Sequence, residues 1–107
     1  MSIRTIQLEL PLKRVEFFCA KWRISELALF GSVLGEDFRP ESDVDMLVSF
    51  KAGTAWGLLD HAAMQDELSE LLGRKVDLVS RRAVEASKNL VRRQAILDSA
   101  ETVYVAR

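Results

Sequence analysis

Residues 43–50 read Asp-Val-Asp-Met-Leu-Val-Ser-Phe, and the reading of this octet decides the fold. A period of two places Val44, Met46, Val48 and Phe50 on one face of a β-strand and Asp43, Asp45, Leu47 and Ser49 on the other. The first face calls for a core. The second carries two carboxylates within a few ångströms of one another, where like charges repel and hold each other's protons unless a cation lies between them.

Upstream, Glu26–Phe30 (ELALF) is a short apolar run that ends at Gly31-Ser32, too short for a helix and therefore a strand. Residues 35–42 (GEDFRPES) form a connection, preceded by a helical turn starting at Ser32. Earlier still, Pro11 suits a first helical position, and Val15, Phe18, Cys19 and Trp22 follow on one apolar face, predicting a helix over 11–22.

Downstream, Lys51–Thr54 reads as a turn with Thr54 as the N-cap of a helix over Trp56–Leu72. Met64, Leu68, Leu71 and Leu72 form its stripe, and Gly73 ends it. Lys75–Ser80 (KVDLVS) alternates Val76 and Leu78 against Asp77 and Val79, a strand with a third aspartate at its middle. A helix is expected from Ala83 to about Asp98, and the apolar tail 101–107 adds a last strand or packs across the core. This order predicts an α/β (α+β) fold, a single small mixed β-sheet with helices packed on it, as one domain over 1–107.

Composition agrees with a folded domain. Of 107 residues, 49% are hydrophobic and 29% charged, far from the balance of a disordered chain. Fifteen Lys and Arg against sixteen Asp and Glu leave a net charge of −1, so no global basic field favours strong nucleic-acid or membrane binding. The single cysteine, Cys19, rules out an intrachain disulfide and fits a reducing cytoplasm and a core position. No run reaches the roughly 18 apolar residues of a membrane span, and the N-terminus MSIRTIQLEL has no signal-peptide pattern.

The aspartates carry the chemistry. If strand 75–80 lies beside strand 43–50, Asp77 joins Asp43 and Asp45 on one face. A hard divalent ion suits such a set, because Mg²⁺ takes oxygen ligands, commonly one or two carboxylates plus substrate phosphates. A calcium EF-hand is excluded, since the apolar Met46-Leu47-Val48 follows the aspartates where that loop stays polar. A glycosidase pair would need an open sugar cleft, which a chain this short struggles to enclose. Gly31-Ser32 offers the second half of a phosphate site, a close backbone approach followed by a hydroxyl and free N–H groups.

Gly31-Ser32, ten intervening residues, Asp43-Val44-Asp45 and a later Asp77 together resemble the signature of the DNA-polymerase-β-type nucleotidyltransferase superfamily. LFGS, SDVDMLV and GRKVDLV are most similar to its minimal nucleotidyltransferases, the MNT proteins paired with HEPN toxins. The resemblance implies that Gly31 and Ser32 bind the phosphates of ATP or another nucleoside triphosphate. It implies that Asp43, Asp45 and Asp77 hold two Mg²⁺ ions roughly 3.5–4 Å apart, with Asp77 also helping to activate the acceptor hydroxyl. It further implies an antitoxin that moves AMP onto a tyrosine of a HEPN toxin. Neutralisation by occlusion alone, and transfer to a small molecule or an RNA end with an acceptor site made by oligomerisation, remain as alternatives.

The chain departs from that pattern at Val33-Leu34-Gly35, where many relatives carry one or two arginines, and Arg39 is a candidate substitute. His61 is expected at the surface. Arg81, Arg82, Lys88, Arg92 and Arg93 around the last helix read as a solvated face. Val103, Tyr104 and Val105 read as a protein contact.

Overall fold

The computed structural model describes residues 10–34 and 42–106, with the backbone alone at positions 32 and 33. Helix α1 (Leu12–Lys21) opens the fold. It starts one residue after Pro11, whose carbonyl accepts from the Val15 N–H at 3.0 Å, and it buries Val15, Phe18 and Cys19 on one stripe. Strand β1 (Ile24–Phe30) continues into a 3₁₀ turn (Gly31–Leu34), the helical turn expected after the strand. Strand β2 (Val44–Phe50), helix α2 (Leu58–Leu72), strand β3 (Val76–Ser80), helices α3 (Arg81–Glu85) and α4 (Leu90–Ser99), and strand β4 (Glu101–Val105) complete it.

The four strands form one mixed sheet in the order β3-β2-β1-β4. β1 is antiparallel to both β2 and β4, while β2 and β3 are parallel because α2 carries the chain back between them. One face holds the main core, where Leu27, Leu29, Val44, Met46, Val48, Val76 and Leu78 pack under α1 and α2. A side chain of this size removed from water contributes about 1.5–3 kcal/mol, so this layer dominates stability. An irregularity in register between Ile24 and Glu26 brings Ile24 to the same face as Leu27 and Leu29.

The opposite face is covered only in part. Ala28, Phe30 and Leu47 pack beneath Val84 of α3 and Ile96 of α4. Leu47 is therefore buried, although strand alternation alone put it with the aspartates on the polar side. The cover ends before Asp45 and Asp77, leaving them half-buried and exposed respectively.

Three local expectations are corrected. Residues 83–98 do not form one helix: the Ser87 hydroxyl accepts from the Asn89 N–H at 3.2 Å, and the Asn89 side chain accepts from the Arg92 N–H at 3.1 Å. Both side chains capture N–H groups that a continuous helix would use, so α3 stops and α4 begins with its own cap. Helix α2 starts at Leu58, not at Trp56, because the Asp60 carboxylate accepts from the Gly57 N–H at 2.9 Å and fixes the first turn there. Thr54 is accordingly no cap, and its hydroxyl accepts instead from Arg23 Nε at 3.2 Å.

Trp56 leaves the helix to pack edge-on against Trp22, with ring centroids 5.1 Å apart and its Nε1 donating to the Trp22 carbonyl at 2.8 Å. The tail forms β4, whose Val103 and Tyr104 pack against the core; only Val105 of the three stands exposed. Among the described residues, no helix is long and apolar enough to cross a membrane.

Candidate active site

Phe30, at the end of β1, pairs with Asp45 on one side of β2, and Asp77 of β3 pairs with Asp45 on the other. The parallel register thus sets the second and third aspartates directly side by side, and Asp43 precedes them at the mouth of β2, exposed. Asp45 is the most enclosed of the three. Burial pushes its carboxyl above the usual range, the charges of Asp77 and then Asp43 push the same way, and Arg92 pulls back. The sheet therefore concentrates negative charge at a point where water is already partly excluded.

Gly31 closes this point from the β1 side. Its φ of +79° is open to glycine and strained for other residues, and a Cβ there would collide with Oδ2 of Asp45. The backbone turn after β1 consequently lies against the carboxylate. A glycine is required twice over, for the turn and for the space.

Asp77 stands on an edge strand, and three side chains of α2 hold that edge. The Ser69 hydroxyl accepts from the Val76 N–H at 2.9 Å, and Gln65 Oε1 accepts from the Leu78 N–H at 2.8 Å. The carbonyl of Leu78 accepts from His61 Nε2 at 2.6 Å. Positions 61, 65 and 69 recur every four residues, so one stripe of α2 satisfies the outward backbone groups of β3 on both sides of Asp77. His61 is half-buried and structural, which corrects its expected surface role. The sequence signal was the spacing itself, legible only once β3 is known to be an edge.

The donor set fits a hard cation in kind: carboxylate oxygens with partial desolvation and mutual repulsion to relieve. Among the described residues, no three acidic, histidine or cysteine side chains are already gathered into a closed metal cage.

The sequence model of the nucleotidyltransferase domain family matches residues 13–102, which takes in Gly31 and all three aspartates. The chain is a nucleotidyltransferase. It is of the minimal type: a solved structure assigned as a minimal nucleotidyltransferase shares 37% identity with a TM-score of 0.63, over 83% of this chain and 85% of that one. The protein adenylyltransferase MntA of Thermococcus cleftensis is 31% identical over 87 residues, 79% of this chain and 78% of the relative. A chain from a solved complex of a tri-AMPylated Shewanella oneidensis HEPN toxin with an MNT antitoxin has the same fold. There the TM-score is 0.60 at 18% identity, over 89% of this chain and 70% of that chain.

Of the five sequence-predicted site residues of the minimal nucleotidyltransferase, the structure sets Asp45 beside Asp77 with Gly31 against Asp45, and leaves Asp43 exposed just before β2. The backbone of Ser32 lies in the 3₁₀ turn directly after Gly31, and its side chain, like Arg39, lies outside the described residues.

In the basic cluster of the nucleotidyltransferase, Arg82, Lys88 and Arg92 are exposed as expected, while Arg81 and Arg93 are half-buried and engaged. Arg81 Nε approaches Glu85 at 3.5 Å, and Arg93 donates to the Glu85 carbonyl at 2.9 Å. A cleft of about 430 Å³ lined by Ser49, Lys51, Ser80 and Arg81 lies at the far end of β2 and contains none of the aspartates.

Proposed function

We propose that this nucleotidyltransferase moves AMP from ATP onto a hydroxyl of a partner protein, a HEPN-type toxin, and so acts as a cytoplasmic antitoxin. The observation that carries the reading is the parallel register that sets Asp77 beside Asp45, with Gly31 closing the same point. The names of the relatives support the choice of AMP and of a HEPN partner.

In this reading Asp43 and Asp45 would hold two Mg²⁺ ions and Asp77 would complete one of the two sites. Bound Mg²⁺ would neutralise the triphosphate and lower the pKa of the attacking oxygen. Gly31 and the turn that follows let the phosphates approach the backbone without a side chain between. The acceptor oxygen, a tyrosine hydroxyl, forms a bond to the α-phosphorus while the bond from that phosphorus to the β-bridging oxygen breaks. Pyrophosphate leaves with the electron pair. The hydroxyl proton passes to the Asp77 carboxylate and from there to water. The edge-holding stripe of His61, Gln65 and Ser69 keeps Asp77 in register through this exchange.

The test is incubation with α-labelled ATP, Mg²⁺ and the HEPN-type protein encoded beside it. Label should move to the partner with wild-type protein and fail to move with Asp43→Ala or Asp45→Ala. Neutralisation of the toxin without any label would replace this reading with occlusion, and label on a small molecule or RNA end in place of the partner would replace the acceptor.

A further inference from the structure

Strands β2 and β3 lie parallel, so their carboxyl ends fall at one end of the sheet, and the helices that follow them leave to opposite faces. After β2 the chain enters α2, whose Met64 and Leu68 pack in the main core; after β3 it enters α3, whose Val84 packs on the other face. Neighbouring parallel strands whose continuations part in this way leave a crevice at their carboxyl ends, where α/β sheets bind ligands. The aspartates stand towards the other end, since Ser49 lies four residues along β2 from Asp45, about 13 Å away.

The crevice consists of two adjoining clefts of about 430 and 730 Å³, each large enough for a small ligand. Phe50, Thr54, Ser80 and Arg82 line both, so one wall is common to them. The first cleft sets Lys51, Arg81 and Arg82 around the hydroxyl-bearing Ser49, Thr54 and Ser80. Glu85 is the acid on its lining and is engaged by Arg81 at 3.5 Å. Lys51 and Arg82 are exposed and, among the described residues, have no ion pair. The second cleft is more apolar, with Trp56 and Leu58 exposed on its lining.

The loop that forms the common wall is fixed before any ligand arrives. The Arg23 carbonyl accepts from the Lys51 N–H at 2.9 Å, Arg23 Nε donates to the Thr54 hydroxyl at 3.2 Å, and the Trp56 indole donates to the Trp22 carbonyl at 2.8 Å. Among the described residues, Arg23 is the one non-glycine residue with a positive φ, +57°. Left-handed backbone disfavours arginine, so the loop is held in place against that strain.

The charges select the ligand. A phosphate monoester carries about 1.5–2 negative charges at neutral pH, which two unpaired cations balance. A triphosphate would bring more charge and a metal with it, and the one carboxylate of this cleft is already engaged by Arg81. The neighbouring cleft offers apolar walls and the fixed Trp56 ring to a flat ring system.

We propose that this crevice is a second ligand site, which takes a nucleoside monophosphate with its phosphate between Lys51 and Arg82 and its base in the apolar cleft beside Trp56. Neither Mg²⁺ nor an aspartate takes part, so the inference stands apart from the nucleotidyl-transfer reading and fails or holds independently of it.

The test is NMR titration of the whole protein in EDTA with AMP, UMP, adenosine and inorganic phosphate, in wild type, Lys51→Ala, Arg82→Ala and Lys88→Ala. AMP or UMP should saturate the site with a Kd below about 1 mM. The Trp56 indole resonance and the amides of 51–54 and 80–82 should move, while those of Gly31, Asp45 and Asp77 stay in place. Adenosine and phosphate, each filling one cleft, should bind at least about tenfold more weakly. Lys51→Ala and Arg82→Ala should each weaken the nucleotide about fivefold or more, while Lys88→Ala, which deletes an exposed charge outside both clefts, stays within about twofold. The proposal is overturned by the absence of saturable AMP and UMP binding, by shifts centred on Gly31 and Asp45, or by wild-type affinity in both Lys51→Ala and Arg82→Ala. Adenosine or phosphate binding as tightly as the nucleotide overturns it as well.

Discussion

Replacing Gly31 and Gly53 separately by alanine isolates what the close approach of β1 to Asp45 does. Both glycines have positive φ, +79° and +83°, so both substitutions carry the same backbone strain, about 1–2 kcal/mol for an L-residue in the left-handed region. The narrower unfolded ensemble of an alanine chain offsets roughly 0.4–1 kcal/mol of that. A net loss near 1 kcal/mol is expected for each, or a fall of about 4–8 °C in melting temperature for a domain of this size.

At Gly53 the new methyl meets nothing within 4 Å, and the effect stops there. At Gly31 it meets Oδ2 of Asp45. The obstacle is the end of a side chain and can rotate aside, adding only about 0.5–1.5 kcal/mol, but it rotates out of the cluster it forms with Asp77. Denaturant melts give the stability terms, and Mg–ATP titration gives the functional one. Gly31→Ala should lose at least about tenfold in affinity, equivalent to about 1.4 kcal/mol, while Gly53→Ala should match wild type. Equal Mg–ATP affinity in the two variants would refute the claim that Gly31 makes room for the Asp45 carboxylate.

Asp45 holds its proton more tightly folded than unfolded, so its ionised form opposes folding increasingly as pH rises above the ordinary carboxylate range. Asp45→Asn should therefore raise the melting temperature at neutral pH in EDTA while abolishing transfer; a lower melting temperature would contradict the repulsion argument. Mg²⁺ should stabilise wild type in the same assay, chelation should reverse this, and Asp45→Asn should respond less. Ser69→Ala and Gln65→Leu should each cost about 1–3 kcal/mol in denaturant melts by leaving the Val76 or Leu78 N–H unpaired, and losses under about 0.3 kcal/mol would show that the edge of β3 does not need α2. Burial, with Glu16 adding to it, pushes the Cys19 thiol up to about 12 from an ordinary 9.0, so native protein at pH 8 should resist alkylation and react only on unfolding. By the same linkage, stability should fall as pH climbs from about 9 towards 12, since only the unfolded thiol ionises there; native labelling as fast as unfolded would refute the buried placement.

Much of this protein is legible from local pattern. Alternation alone places Val44, Met46 and Val48 in the core and both Asp43 and Asp45 opposite, because strand geometry allows no other assignment. The helical stripe of Val15, Phe18 and Cys19 and the Gly73 stop of α2 follow from equally short-range rules. Side-chain capture of backbone N–H groups by Ser87 and Asn89 was also local, yet the apolar residues on either side masked it and two helices read as one.

What the chain's order could not decide is which elements become neighbours. That Asp77 joins Asp45 depends on β3 pairing parallel to β2, which the α2 crossover permits but no residue in 75–80 announces. That His61, Gln65 and Ser69 are structural depends on β3 being an edge whose outward donors and acceptors need partners. That Arg93 turns back to the Glu85 carbonyl depends on how α4 returns beside α3 once Ile96 and Val84 share one small core. Sequence determined the periodicities and the charges, since these are properties of neighbouring residues. Tertiary structure alone decided which charges share a point in space, because that follows from how whole elements bury their apolar faces against each other.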